Sequence, residues 1–181
     1  IIIIAIASAP IAWHSMHHYQ QLRILNLINP EHDPLGSGYN IIQSKIAVGS
    51  GGILGKGWLL GTQSHLAFLP THTTDFIFAV FAEEFGLVGS AVLFSLLLII
   101  FLRSLFISQH AQSTYDRLLA GSLSFTFLMN ALINIAMVVG LLPVVGVPLP
   151  LISYGGSSIV TTMISFGILM SIHTHKKLWS T

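Results

Sequence analysis

Three long stretches without a charged residue shape the second part of the chain, and they cover residues 85–102, 118–142 and 151–172. An α-helix rises about 1.5 Å per residue, so roughly 20 apolar residues cross the hydrocarbon core of a bilayer. Each stretch is close to this length or exceeds it. We therefore predict three transmembrane helices in an all-α integral membrane protein, built as a polytopic helix bundle.

The first part of the chain follows a different pattern. Residues 1–13 form a shorter apolar run, which we interpret as the end of another transmembrane helix. Residues 14–74 contain no apolar stretch long enough to span, which predicts a large extramembrane loop. Within this loop, Ile41, Ile42 and Ile46 predict a short helix over residues 39–48, which either lies at the membrane interface or packs as an ordinary loop helix.

The composition is that of a membrane protein. Hydrophobic residues make up 53% of the chain and charged residues only 7%, with a mean hydropathy of +0.81, whereas a soluble domain is about 25% charged. The net charge of +1 is dispersed along the chain, which argues against nucleic acid as a partner. The absence of cysteine excludes disulfide scaffolds and thiolate metal sites.

Positive charges predict the orientation in the membrane. The polar linker 103–117 and the tail 173–181 are short and hold four of the seven Lys and Arg residues. Since basic residues favour the cytoplasmic side, we expect the linker and the tail to be cytoplasmic. The large loop and the proline-rich corner 143–150 should then share the outer side. This arrangement would bring the candidate catalytic and binding residues of the loop and of the corner to the same membrane surface.

Asp75 is the candidate catalytic residue, because it stands between a run of Thr and His and an apolar segment. A carboxylate beside an apolar wall can act as a general base toward a sugar hydroxyl. Alternatively, Asp75 stabilises the start of a helix whose cap is Thr73 or Thr74. In a continuous helix it would lie roughly 15 Å beyond the predicted span, at headgroup depth.

Among the other polar residues near Asp75, Glu83, Lys45 and Lys56 each have two interpretations. Glu83 either pairs with a lysine or a backbone group, or takes part in proton handling or cation binding. Lys45 and Lys56 either hold a diphosphate as point charges or are solvated loop lysines. His72 is a candidate for acid–base support.

Small and polar residues in the last two apolar stretches are also candidates. Ser153 and Ser157 would either expose N–H groups for an anion at a helix start or allow close helix packing. Asn130 and Asn134, one turn apart, are interpreted as interhelical hydrogen-bond partners. The histidines are not accompanied by a metal-binding motif, so we predict no metal site.

Three long motifs resemble one family over nearly the whole chain. They are YNIIQSKIAVGSGGILGKGWLLGTQS, FLPTHTTDFIFAVFAEEFGLVG and LLPVVGVPLPLISYGGSS. In amino-acid sequence and in order along the chain, these motifs resemble those of the SEDS (shape, elongation, division, sporulation) family of cell-wall polymerases. The QSKIAVGSGG and GKGW segments are more similar to its rod-elongation branch than to its division branch.

The resemblance implies the C-terminal part of a roughly ten-helix protein of the bacterial inner membrane, with its active face outside the cytoplasm. The implied activity is that of a peptidoglycan glycosyltransferase, which polymerises lipid II into β-1,4 glycan strands for elongation and rod shape and releases undecaprenyl diphosphate. The implied partners are the growing glycan strand, a class B penicillin-binding protein transpeptidase and other proteins of the elongation complex.

The resemblance also assigns residues to roles. The aspartate of the DFIF motif, here Asp75, is the implied base. The predicted substrate-binding set is Lys45, Lys56, Gln63, Ser153 and Ser157, with Glu83 and His72 in support. A divalent cation such as magnesium is an alternative means of offsetting the diphosphate charge. The chain departs from the family at Thr71, where an acid is usual, and at Thr73, where a histidine is usual.

Four alternatives remain beside this interpretation. They are a division polymerase of the same family, an enzyme that joins another lipid-linked glycan, a lipid flippase or transporter, and a non-catalytic scaffold for a peptidoglycan synthase. A transporter would be expected to pair charged residues near the midplane, whereas the last two spans contain no charge. In a scaffold, Asp75 would be replaceable.

Overall fold

The structure, a computed structural model, describes residue 14 and residues 16–28, 37–61 and 74–174, and the regular elements in these ranges are helices. Three of them are long and apolar enough to cross a membrane. This confirms the prediction of an all-α polytopic membrane fold. The helices are α1 (His18–Ile28), α2 (Ser37–Ser50), α3 (Ile77–Gln109), α4 (Thr114–Val139) and α5 (Gly156–Thr174).

The helices extend beyond the uncharged stretches at the end predicted to be cytoplasmic. The expected linker 103–117 is largely helical, because α3 continues to Gln109 and α4 begins at Thr114. Charged side chains mark the edge of a hydrocarbon span, but they do not stop a helix. The start of α4 is set by Ser113, whose side chain accepts a hydrogen bond of 2.9 Å from the N–H of Asp116.

At the opposite end, turns shorten the predicted spans. Helix α4 stops at Val139 because Gly140, its C-cap, adopts the left-handed conformation with φ of 80°. Helix α5 begins at Gly156 rather than at residue 151, because the preceding residues form turns. The uncharged stretches therefore predict where each membrane-spanning helix lies, whereas the caps and turns determine the residues at which it begins and ends.

Helices α3, α4 and α5 follow one another in an up-and-down order. The turn before α3, the end of α4 and the corner before α5 consequently meet at one end of the bundle. A hydrogen bond of 2.7 Å from the Ser153 hydroxyl to the carbonyl of Thr74 joins residues 79 positions apart. The prediction that Asp75 and the corner lie on the same side is confirmed by this contact.

Helix α3 is broken at Gly86, where φ is 66° and ψ is −160°. The break removes two helical hydrogen bonds, those from the N–H groups of Leu87 and Val88 to the carbonyls of Glu83 and Glu84. The segment after α2 replaces them. Leu87 and Val88 donate to the carbonyls of Gly52 and Ile53 at 2.9 and 3.1 Å, and the N–H groups of Lys56 and Gly57 donate to the carbonyls of Glu83 and Glu84 at 3.0 Å each.

Glycine is required on both sides of this contact. The conformation of Gly86 belongs to a region that is essentially restricted to glycine. A Cβ at Gly55 would collide with the carbonyl of Glu84, so the loop backbone approaches α3 as closely as it does only because this side chain is missing. Together the two glycines allow the loop to act as part of the hydrogen-bond system of α3.

Helix α2 packs on α3 and α4 at the end of the bundle that carries the Asp75 turn. Its buried face carries Ile41, Ser44 and Ala47, and the Ser44 hydroxyl donates to the carbonyl of Val138 at 3.0 Å. The predicted short helix over residues 39–48 is therefore confirmed. Ile46 on its other face is 46% exposed, so the helix both packs on the bundle and presents an apolar residue outward.

Burial is concentrated at this end of the bundle. The core there combines Phe76 and Ala79 from α3 and its N-cap with Met137 from α4 and Leu149 from the corner, each at most 1% exposed. Among the described residues of α5, Leu169 alone is buried. The surfaces of the spans remain largely apolar and exposed, as expected for helices that face lipid or further helices.

We expect Gly86→Ala to lower the stability of the protein. The added Cβ would collide with the backbone of Ile53 and Gly55, and alanine would be held in a conformation that costs roughly 1–3 kcal/mol. Thermal unfolding in detergent micelles measures the effect.

The matched control is Gly167→Ala in α5, where a Cβ meets nothing within 4 Å. Helix propensity predicts a neutral effect or a gain of up to about 1 kcal/mol there. Equal melting temperatures for Gly86→Ala and the wild type would contradict the role given to the break.

Candidate functional site

Asp75 lies in the turn that precedes α3, and its side chain is half-buried. The N-cap of α3 is Phe76, which makes no side-chain capping hydrogen bond, and the first helical turn contains no acidic residue. Asp75 therefore does not lie in the first turn of the helix, where the alternative interpretation placed it. Within the described part of the chain, no side chain or N–H group donates a hydrogen bond to the Asp75 carboxylate, which leaves it available as a proton acceptor.

The backbone of the Asp75 turn is held by two side chains from other elements. The amide of Asn134 in α4 donates to the carbonyl of Asp75 at 2.9 Å. The hydroxyl of Ser153 donates to the carbonyl of Thr74 at 2.7 Å. Asn134 was predicted to be an interhelical hydrogen-bond partner, but its acceptor here belongs to the turn before α3 and not to a helix.

The proline-rich corner lies directly beside the Asp75 carboxylate. A Cβ placed on Gly146 would be 3.6 Å from Oδ2 of Asp75. The amide of Asn134 also donates to the carbonyl of Val147 at 2.7 Å. Asn134 therefore connects the turn of Asp75 to the corner, and the carboxylate faces a stretch of corner backbone that carries no side chain at Gly146.

Glu83 and Lys56 form an ion pair. Lys56 Nζ lies 2.7 Å from Glu83 Oε1, and the glutamate is fully buried while the lysine side chain is 30% exposed. The pair joins the loop to α3 next to the backbone exchange at Gly86. Of the two interpretations of Glu83, the structure confirms pairing with a lysine. Glu84 is also buried, at 8% exposure.

Lys45 lies at the same end of the bundle, on the exposed side of α2. Its side chain packs beside Gly140, since a Cβ there would meet both Cε and Nζ of Lys45. A cation at a helix C-terminus interacts favourably with the helix dipole, and Gly140 is the C-cap of α4. Lys45 thus supports the end of α4 while its ammonium group stays at the surface.

The two candidate serines occupy different environments. Ser153 is 2% exposed, and its hydroxyl both donates to Thr74 and accepts a hydrogen bond of 2.7 Å from the N–H of Leu149. Its hydroxyl is therefore directed to backbone groups in the interior. Ser157 is exposed in the first turn of α5. It lines an open cleft of about 270 Å³ with Asn130, Val147, Pro148, Ser158 and Thr161.

Some predicted residues lie outside the described part of the chain. These are Gln63 and His72, together with the family departures at Thr71 and Thr73. In the described ranges, no group of three His, Cys, Asp or Glu side chains is arranged to hold a metal ion.

Two features of the site were not assigned from the sequence. The first is the contact of Asn134 with the carbonyl of Asp75, and the second is the closeness of Gly146 to the carboxylate. An amide in an otherwise apolar span was a signal for the first. Neither partner could be identified, because the contacts join residues that are far apart along the chain.

The chain matches the model of the family FTSW_RODA_SPOVE, described as cell cycle protein, over residues 1–178. The peptidoglycan glycosyltransferase MrdB of Escherichia coli (strain K12) is 56% identical over 180 residues, which are 99% of this chain and 49% of that protein. The peptidoglycan glycosyltransferase RodA of Treponema pallidum (strain Nichols) is 48% identical over 158 residues, which are 87% of this chain and 36% of that protein. The chain thus spans about half the length of the MrdB relative and about a third of the length of the RodA relative.

The fold has a solved counterpart in a peptidoglycan synthase complex that coordinates polymerization and crosslinking. The match to a chain of that complex has a TM-score of 0.75 at 32% identity, and it covers 98% of this chain and 48% of the other. The sequence and structure comparisons confirm the resemblance that the three motifs indicated.

We expect Lys56→Met to destabilise the protein by about 3 kcal/mol. Removing one partner of a buried ion pair costs roughly 3–5 kcal/mol, and the 30% exposure of Lys56 places the effect at the lower end. The Glu83 carboxylate would stay buried without the Lys56 ammonium. Chemical or thermal unfolding of the purified protein measures the loss.

The control is the double variant Lys56→Met with Glu83→Met, which removes both charges. It should be more stable than the single variant, because the Glu83 carboxylate is no longer buried without the Lys56 ammonium. A single variant as stable as the wild type would show that the pair does not hold the loop.

Proposed function

Since this chain belongs to the FTSW_RODA_SPOVE family of cell cycle proteins, we propose that it is part of a peptidoglycan glycosyltransferase that polymerises lipid II into β-1,4 glycan strands. The observation that carries the proposal is the match of nearly the whole chain to a protein named peptidoglycan glycosyltransferase. The two relatives reported above, at 56% and 48% identity, carry the names MrdB and RodA, which supports a role in cell elongation and rod shape.

In the proposed reaction, Asp75 is the general base. Its carboxylate accepts the proton of the 4-hydroxyl of an acceptor GlcNAc while that oxygen attacks the anomeric carbon of the donor sugar. The bond between the anomeric carbon and the diphosphate oxygen breaks, and undecaprenyl diphosphate leaves with the electron pair. A single in-line displacement converts an α-linked donor to a β-linked product, so no covalent enzyme intermediate is needed.

The position of the carboxylate supports this role. Asp75 is half-buried at an end of the helix bundle, and its turn is fixed through backbone carbonyls. A proton acceptor at the edge of the membrane would meet the sugar of a lipid-linked substrate without entering the hydrocarbon core.

Two lysines are candidates for offsetting the diphosphate charge of the donor. Lys45 is exposed, whereas the ammonium of Lys56 is held against Glu83. Lys45 is therefore the stronger candidate for direct contact, with Ser157 and Gln63 as further substrate contacts. In this proposal Lys56 acts mainly by holding the loop on α3, and His72 supports proton transfer.

We also propose the bacterial cytoplasmic membrane as the location, with the Asp75 end on the extracytoplasmic side. The proposed partners are a class B penicillin-binding protein transpeptidase and other proteins of the elongation complex. The likeness to a chain of a peptidoglycan synthase complex supports a partner that crosslinks the strands.

We expect Asp75→Asn to reduce glycan polymerisation by at least about a hundredfold, the lower bound for loss of a general base. Asparagine keeps the shape of the side chain but cannot accept the proton. The measurement is chain growth from purified lipid II by the full-length protein with its partner.

The matched control for this assay is Asp116→Asn, the same substitution near the start of α4 at the other end of the bundle. It should polymerise at the wild-type rate. Wild-type chain growth by a folded Asp75→Asn protein would refute the base assignment, and lipid translocation without polymer would favour a flippase.

Cysteine labelling tests the proposed orientation, because the chain has no native cysteine. Tyr154, between the corner and α5, is 79% exposed, and Tyr115 in the first turn of α4 is 73% exposed. In spheroplasts that carry the full-length protein without other cysteines, a membrane-impermeant maleimide should label Tyr154→Cys. Tyr115→Cys should react only after the membrane is permeabilised. The reverse pattern would contradict the orientation.

A further inference from the structure

The turn that carries Asp75 lies outside the hydrogen-bond ladder of α3. The N–H of Ala79 donates to the carbonyl of Phe76 at 2.9 Å, so the ladder starts there. The carbonyls of Thr74 and Asp75 precede it and need other donors, because a buried carbonyl without a partner is costly. Their donors are side chains from other elements.

Asn134 supplies the first donor from α4. Its side chain is fully buried, and its amide nitrogen donates both to the carbonyl of Asp75 at 2.9 Å and to that of Val147 at 2.7 Å. Its Oδ1 has no hydrogen-bond partner among the residues that the structure describes. A buried acceptor left in this way costs about 1–3 kcal/mol. Asn134 therefore stabilises the fold less than its two hydrogen bonds suggest, while it fixes two backbone segments relative to each other.

Ser153, which lies between the corner and α5, supplies the second donor. Its hydroxyl donates to the carbonyl of Thr74 and accepts from the N–H of Leu149, each at 2.7 Å. At 2% exposure the hydroxyl cannot reach a substrate at the surface. Its contacts tie the corner to the residue just before Asp75.

We propose that Asn134 and Ser153 are positioning residues, which fix the backbone of Asp75 so that its carboxylate is held at the reacting hydroxyl. Both anchors bind main-chain carbonyls and leave the carboxylate itself unengaged. With the backbone fixed from two sides, only the side-chain torsions of Asp75 remain to set the carboxylate position. The inference rests on the proposed function, because it gives the position of Asp75 a catalytic purpose.

The proposal predicts a specific kinetic signature. A displaced base slows the chemical step, and a misplacement of about 1 Å can lower a rate about a hundredfold. Neither anchor is placed to contact the substrate, so substrate binding should not change. Loss of an anchor should therefore reduce kcat and leave KM unchanged.

The test uses Ser153→Ala and Asn134→Leu in the full-length protein with its partner, assayed for polymerisation over a range of lipid II concentrations. We expect kcat to fall about ten- to a hundredfold for each variant, with KM within about twofold of the wild type. Ser153→Thr keeps the hydroxyl and should retain more activity than Ser153→Ala. Melting temperatures are recorded for every variant.

The matched control is Ser124→Ala in α4. Ser124 is also fully buried, but its hydroxyl donates to the carbonyl of Ala120 within its own helix, at 2.7 Å. It should keep the wild-type kcat. A wild-type kcat in folded Ser153→Ala, or an equal loss in Ser124→Ala, overturns the proposal. If Ser153→Ala does not fold, a folded and fully active Asn134→Leu overturns it instead.

A parallel assay of Asp75→Asn separates this proposal from the proposed function. If Asp75→Asn polymerises at the wild-type rate, the base assignment fails, and the positioning role fails with it. If Asp75→Asn is inactive while Ser153→Ala and Asn134→Leu are fully active, the positioning role alone fails.

Discussion

A buried backbone N–H or C=O group must find a hydrogen-bond partner inside the protein, and this requirement shapes the end of the bundle that carries Asp75. Helix α3 loses two of its own hydrogen bonds at Gly86, and the loop after α2 supplies four in their place. Detaching the loop would leave these groups without partners. The loop therefore completes the hydrogen bonding of α3 at the break.

The same requirement explains the arrangement around Asp75. The carbonyls that precede α3 accept hydrogen bonds from Asn134 and Ser153, so the turn is held by α4 and by the segment that leads into α5. Both anchors are buried. The hydrogen bonds that hold this turn are accepted by its backbone carbonyls. The Asp75 carboxylate takes no part in them and stays available to accept a proton.

Two of the three acidic residues of this region, Asp75 and Glu83, have different surroundings. Glu83 is fully buried against the Lys56 ammonium and belongs to the contact between the loop and α3. Asp75 is half-buried beside Gly146, and no described residue neutralises its charge. A buried carboxylate with a cation stabilises a structure, whereas a partly exposed carboxylate beside an open surface can exchange a proton.

The sequence by itself determined the three spans, the short helix over residues 39–48, the meeting of Asp75 with the corner at one end, and the family. A bilayer imposes length and apolarity on every crossing segment, so these features are encoded locally and in the order of the crossings. The tertiary structure alone decided the break at Gly86, the Lys56–Glu83 pair and the anchors of Asp75. These contacts join residues 27 to 79 positions apart, and local composition does not specify which donor meets which distant acceptor.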